Sequence, residues 1–530
     1  MFIVVGSGPA GVACAMALVE AGLPVTMVDG GESLEASISS VVTRMSMQSH
    51  ADWLEADRQL IQGKVETSAR GVQLKKLFGS DFPYRSVDQI LPNESVGIGH
   101  LTASLAIGGF SNVWGAAALQ YGAKELKGWP LDVDDLEPAY KAVSRFMPIS
   151  SDSDELDSLY PRSGCAERSL RRSRQAEAIF RLFERDRERF RRAGILFGGP
   201  RLAVRPHVFE GLAGAESVGC SYCGQCLFGC PYGCIYSAVH TLERLKKFGN
   251  FHHLAGVVID GFDECGGTVT ICGRRVADGE RVSLSGKKLF LAAGVVSTTR
   301  ILLNSIPVYN RTAVMKTSEY FMLPLLTVRN YWGGNSDLLH TLSQMFLECV
   351  DDEVSSHNIH MQLYTYSDMF KIALDQMGFG ARLLTSLFRR QLLGRLLVIQ
   401  GYLHSDDSST ISMSLGEGGV LRLVGNQSLR GGQVVRRLMA TLLRVLPFSG
   451  VIPLVPMLKV GLPGEGRHAG GAFPMKATPG PLEVDVSCRP AGLRHVHVVD
   501  ASVFPTVPAA TITLTAMANA YRVGKSVATE

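Results

Sequence analysis

The chain opens on an apolar run, Phe2-Ile3-Val4-Val5, breaks at Gly6-Ser7-Gly8-Pro9-Ala10-Gly11, and becomes apolar again from Val12 to Ala21. A second short run, Pro24 to Val28, then ends at Asp29. This order predicts strand, tight turn, helix and strand. Near the other end, His495 to Val499 predicts a strand that stops at Asp500, followed by a turn and an apolar helix through Leu514, Met517 and Ala520. Between 249 and 292, short alternating segments separated by Gly266-Gly267 and Asp278-Gly279 predict strands and a hairpin. Three further stretches combine apolar and basic positions. Residues 171–194 set arginines around Ile179, Phe180, Leu182, Phe183 and Phe190, the pattern of a solvated amphipathic helix. Residues 370–399 and 434–460 are more apolar, and predict either a patch lying on a membrane surface or a helical cap buried in a domain or at a subunit contact.

Composition narrows the class. The 530 residues carry 53 Lys and Arg against 49 Asp and Glu, a net charge of +4, and are 46% hydrophobic. Such a chain folds into several domains with real cores, and lacks the concentrated charge of a disordered protein or a nucleic-acid binder. No basic and apolar leader precedes the first strand, and no apolar window reaches the roughly 20 residues of a spanning helix. The expected location is cytoplasmic, with peripheral membrane contact through 370–399 and 434–460 as the variant.

The first turn carries chemistry. Gly6, Gly8 and Gly11 at G-x-G-x-x-G spacing between strand and helix form a dinucleotide fingerprint: Gly6 permits the turn, Gly8 lets backbone N–H groups approach a pyrophosphate, and Gly11 allows close helix–strand packing. Asp29, about 20 residues on, is placed to accept from a ribose 2′-hydroxyl. Cys220, Cys223, Cys226 and Cys230-Pro231 spell C-x2-C-x2-C-x3-C-P, with Cys234 following. That spacing suits thiolate ligation of an iron–sulfur cluster, [3Fe-4S] or [4Fe-4S], and leaves structural zinc or packed thiols open.

The segment Val498-Val499-Asp500-Ala501-Ser502-Val503-Phe504-Pro505-Thr506 resembles the C-terminal signature of the glucose-methanol-choline (GMC) family of FAD-dependent oxidoreductases. Three other stretches resemble that family in the same order along nearly the whole chain: Gly108-Gly109-Phe110-Ser111-Asn112-Val113-Trp114-Gly115, the start of a helix from Trp129 to Tyr140, and Ala292-Ala293-Gly294 through Ser305. The resemblance implies FAD held by Gly6, Gly8, Gly11, Asp29, Gly109, Ser111, Asn112, Trp114, Ala293, Gly294, Asp500 and Ala501. His468-Ala469-Gly470-Gly471-Ala472-Phe473-Pro474-Met475 is similar to the family's H-x-x-G-[ST]-x-x-M segment, which implies His468 as the base that takes a hydroxyl proton. The family's second His or Asn is replaced by Thr511, whose hydroxyl orients but does not act as a neutral-pH base. Cys226 to Ser237 resembles the cluster-bearing catalytic subunits of bacterial FAD-dependent sugar dehydrogenases, which implies a [3Fe-4S] group near the flavin.

The expected fold is α/β: a Rossmann-like FAD domain made of 1–33, 95–121, 201–305 and 466–530, interleaved with a mixed α+β substrate domain made of 122–200 and 306–465, with the cysteine-rich loop at 216–240. The expected activity is oxidation of a C–OH group of a sugar or related alcohol to a carbonyl, electrons leaving to an external acceptor or electron-transfer subunit. The departure at Thr511 keeps a second reading alive: an oxidase or non-redox flavoenzyme acting on a glycan, lipid-linked or natural-product substrate.

Overall fold

The computed structural model describes residues 1–64, 66–67, 73–164, 168–206, 219–306, 312–331, 339–365, 367 and 393–529. The opening pattern folds as its periodicity requires. Strand Phe2–Val5 lies at the centre of a five-stranded parallel sheet, in spatial order Val496–Val498, Lys288–Leu291, Phe2–Val5, Val25–Val28 and Phe251–Leu254. Helix Pro9–Glu20 is buried at every position from Ala10 to Val19, because the sheet covers one side and helix Thr513–Val527 covers another. Gly524 permits that approach, since a Cβ there would lie 2.9 Å from the Cys14 carbonyl. The Gly266-Gly267 and Asp278-Gly279 turns join Val257–Cys265, Thr268–Arg275 and Arg281–Gly286 into an antiparallel sheet.

A second large sheet runs, in order, Val451–Pro453, Tyr320–Thr327, Leu396–Tyr402, Ile359–Tyr364, Met345–Cys349 and Ile195–Gly198, antiparallel throughout. Its two faces differ in kind. Phe321, Leu323, Leu325, Leu397, Ile399, Met361, Leu363, Met345 and Leu347 belong to a separate apolar core. That core is completed by Ile179 and Phe183 of helix Arg174–Arg185 and by Val434, Leu438 and Leu442 of helix Leu429–Val445. The alternate positions Tyr320, Tyr402, His360, Gln362, Tyr364 and Glu348 form the opposite, polar face, all buried except the half-buried Tyr402.

Two expectations need adjustment. Helix Val133–Ser144, begun by a capping box between Asp132 and Asp135, packs with the cofactor-side core through Leu136, Tyr140 and Val143, not with the second sheet. Strands Ala313–Thr317, Thr410–Leu415 and Leu421–Asn426 share a sheet with Asn93–Val96 and Ala469–Gly470, so this sheet straddles the boundary drawn from sequence. The apolar side of 434–445 is spent on the second core, leaving Leu443, Phe448, Ile452 and Met457 exposed around it. Of 370–399, residues 370–392 lie outside the described residues. No helix among the described residues is long and apolar enough to cross a membrane.

Candidate active site

The fingerprint glycines divide by what surrounds them. Gly6 holds φ +104°, and a side chain there would strike the Ala292 carbonyl; one on Gly11 would strike the Gly6 carbonyl. Gly8, with φ −67°, would meet nothing within 4 Å. The open side of the turn is therefore at the first N–H groups of the buried helix, where an anionic pyrophosphate gains both donors and the helix dipole. Gly109 closes over the same turn, where a Cβ added to it would lie 3.5 Å from the Gly8 Cα, and the Gly108 N–H donates to Ser7 Oγ at 3.0 Å. Gly294 likewise faces open space. The cradle expected for FAD is thus present in the fold, with Ala293 and Gly294 at the start of helix Val295–Ser305.

Several expected cofactor residues also hold the scaffold. Asp29 ends the second strand and is bound by His253 Nε2 at 3.1 Å and the Gly31 N–H at 3.1 Å. Asp500 accepts from the Gly294 N–H (2.9 Å), Thr298 Oγ1 (2.6 Å) and the Ser502 N–H (2.9 Å), tying the turn at Ala501 to the helix start at Gly294. Ser111 accepts from the Ala238 N–H, Asn112 accepts from Ser237 Oγ, and Trp114 Nε1 donates to the Tyr236 carbonyl at 2.8 Å. These bonds fasten the glycine-rich loop to the segment that leaves the cysteine run.

His468 follows Arg467, whose φ of +55° is unusual for a non-glycine residue. The next two residues, Ala469–Gly470, pair with Lys316 and Thr317. The imidazole stacks on Tyr402 at 4.5 Å. Its Nδ1 is buried and has no hydrogen-bond partner among the described residues, which is the condition of a group awaiting a partner. Burial, and then the nearby His360, push its pKa down to about 3, so the ring is neutral at pH 7. Thr511 is buried and accepts from the Leu119 N–H at 3.2 Å; its hydroxyl anchors backbone.

Sequence reasoning missed the polar face of the second sheet. Tyr320, Tyr402, His360 and Glu348 form one cross-strand row, and His468 stacks on that row at Tyr402. The signal was the period-2 alternation of His360, Gln362 and Tyr364 with Ile359, Met361 and Leu363. A second missed cluster brings His357, His404 and Asp406 together, the two imidazoles stacked at 3.7 Å.

Residues 2–61 match the family described as FAD binding domain, and residues 462–520 match the family described as GMC oxidoreductase. The two ends of the chain thus match an FAD-binding domain and the GMC oxidoreductase C-terminal segment. The fold of the chain is similar to that of pyridoxine 4-oxidase from Mesorbium loti, with a TM-score of 0.61 at 14% identity over 100% of this chain and 99% of that one. No curated protein matches it by sequence.

The cysteine run closes on itself. Cys220, Cys223, Cys226, Cys230 and Cys234 all line one cavity of about 10 Å³, with Leu170, Val204 and Leu342 completing an apolar wall. Burial raises the thiols of Cys220, Cys223 and Cys226, whereas the Cys234 thiol and backbone N–H groups lower Cys230 to about 6. The Cys234 N–H donates to Cys230 Sγ at 3.3 Å. Among the described residues no three cysteine sulfurs lie within 4.8 Å of one another. One tetrahedral zinc, with Zn–S bonds of about 2.3 Å, needs them closer, whereas a polynuclear cluster attaches each sulfur to a different iron. As placed, the sulfurs lie too far apart for one tetrahedral zinc. A larger cavity of about 320 Å³, lined by Glu32, Ser111, Asn112, Trp114 and His240, shares Cys226, Gly229, Cys230 and Ile235 with the cysteine cavity.

Proposed function

We propose that this protein is a GMC-type FAD oxidoreductase that oxidises a C–OH group of a sugar or related alcohol to a carbonyl, and that its electrons leave through an iron–sulfur cluster in the cysteine cavity. The observation that carries the first part is His468: a neutral imidazole with an unpartnered, buried Nδ1, stacked on a buried polar sheet face. A neutral ring accepts the hydroxyl proton, and the dry surroundings favour passing it on once the substrate leaves. Gly6 to Gly11, Asp29, Gly109 and the Gly294 and Ala501 turns would hold FAD, which when bound supplies a two-electron acceptor for the hydride on carbon. Tyr402 fixes the plane of the imidazole, and the buried row behind it excludes water from the base.

The second part rests on the shared wall between the two cavities. Cys220, Cys223, Cys226 and Cys230, with Cys234 as a fifth thiol, would hold a cluster that supplies one-electron steps toward an external acceptor. The test is anaerobic purification with iron, acid-labile sulfide and FAD measured per chain, followed by titration with a panel of sugars and alcohols. About three or four irons with equal sulfide, together with bleaching of the flavin band by one of the alcohols, is the expected result. FAD without iron overturns the electron route and leaves an oxidase; a flavin that no alcohol bleaches overturns the reaction.

A further inference from the structure

The buried polar face beneath His468 contains a continuous line of five hydrogen-bonding side chains. Tyr160 Oη donates to Glu348 Oε2 at 2.9 Å, and Glu348 Oε1 lies 2.5 Å from His360 Nδ1. On the other side of the ring, His360 Nε2 lies 3.1 Å from Gln362 Nε2, and Gln362 Oε1 accepts from Tyr364 Oη at 2.7 Å. Tyr160, Glu348 and His360 are fully buried, and Gln362 and Tyr364 nearly so. The far end of the line reaches the cofactor loop, since a side chain added at Gly115 would come within 3.6 Å of Tyr364 Oη.

Each member has a limited repertoire, so the direction of every bond follows. An ionised carboxylate only accepts, hence Tyr160 donates to Glu348 and His360 carries its proton on Nδ1. The amide nitrogen of Gln362 only donates, hence His360 Nε2 must accept and the imidazole is neutral. The amide oxygen only accepts, hence Tyr364 spends its proton inward and turns lone pairs outward. Were Nδ1 to accept from a protonated Glu348, Nε2 would carry a proton and face another N–H. A proton added at His360 would do the same, unless the Gln362 amide turned over. That turn would place N–H against Tyr364 and free the phenol proton to point outward.

We propose that Glu348, acting through His360 and Gln362, sets the hydrogen-bond polarity at the substrate-facing end of this line, holding Tyr364 as an acceptor for a donor group such as a second substrate hydroxyl. Glu348, His360 and Gln362 are positioning residues; Tyr364 is the one that meets the substrate. This assignment rests on the reading that the polar face bounds the alcohol site. The groups around His360 that bear on its charge are Glu348 on the adjoining strand, Tyr402 across the other, His468 beyond Tyr402, and Tyr160 and Glu125, which face Glu348. Charge on His360 opposes charge on His468, so a neutral His360 also leaves the base free to take a proton.

The test reads tautomers, which a merely structural role would not move. In FAD-loaded protein labelled with ¹⁵N-histidine, long-range ¹H–¹⁵N correlation at pH 7, with His360→Asn used for assignment, is expected to show His360 protonated on Nδ1 and bare on Nε2. Glu348→Gln, which keeps an acceptor oxygen, should retain this form, and so should Tyr364→Phe. Glu348→Leu should lose it. An imidazolium or an Nε2–H tautomer in the wild type, or a tautomer that follows Tyr364 and ignores Glu348, overturns the proposal. If Glu348→Leu fails to bind FAD, the wild-type and Glu348→Gln spectra still decide. These readouts need no turnover, so an enzyme that bleaches with no alcohol refutes the reaction while leaving the polarity assignment to stand or fall on its own. Among alcohols that do bleach the flavin, Tyr364→Phe should raise KM about tenfold more for those bearing a second hydroxyl than for mono-alcohols. Equal effects on both refute the acceptor role.

Discussion

His468, the proposed base, sits where a weak base would be usable. Burial is the main influence on its pKa and keeps the ring uncharged at neutral pH. Proton transfer by a positioned side chain is worth roughly 10²- to 10⁴-fold, so His468→Asn should lower the rate of flavin reduction by that much in stopped-flow measurements while FAD content stays the same. Loss of FAD in that variant would assign the residue to cofactor binding. The candidate base could be named from sequence because its glycine-rich segment is local. The use of Thr511 was not: its hydroxyl is committed to the N–H of Leu119, 392 positions earlier, and no local pattern records such a bond.

Among the elements, the first strand, turn and helix were readable at once, because a parallel strand and a helix covered on several sides are both apolar nearly throughout. The three fingerprint glycines nevertheless predict different phenotypes. Gly11→Ala forces a side chain into the Gly6 carbonyl and should cost about 1–3 kcal/mol in urea unfolding of the apoprotein. Gly8→Ala meets open space at a permitted φ, so the apoprotein should keep its stability and lose affinity for FAD in a reconstitution titration. Equal losses of stability in the two variants would contradict this division. The second sheet was harder to read. Alternation such as that of 359–364 ordinarily marks a strand with one wet face. Here the polar side is buried as well, which only the packing of distant segments against it reveals.

For the whole molecule, the buried histidines set an acid limit. Burial lowers His340 and His468 to about 3 and His404 to about 4. In the unfolded chain each titrates near 6.5, so below that pH the unfolded state holds more protons and stability falls as pH falls, until the folded values are reached. His340 is almost wholly buried, and its share of the loss between pH 6.5 and 5 is about 2 kcal/mol. The melting temperature of the apoprotein should therefore drop between pH 7 and 5, and His340→Gln should shrink that drop; a variant with the same pH slope as the wild type would contradict it. The α/β class and the two terminal motifs were visible in the sequence. The partition of the middle was not, since helix Val133–Ser144 and the sheet containing Asn93–Val96 join parts of the chain that no boundary signal links.

The clasp between helix Pro9–Glu20 and helix Thr513–Val527 has a consequence for how the protein is made. The first strand and helix emerge early from the ribosome, yet the strand at one edge of their sheet, Val496–Val498, and the helix that covers them come some 500 residues later. At about 5–20 residues per second, the nascent fingerprint waits tens of seconds with an apolar helix unprotected. Cofactor capture then waits for residues 496–527, and variants that lack helix Thr513–Val527 should be chaperone-bound and colourless.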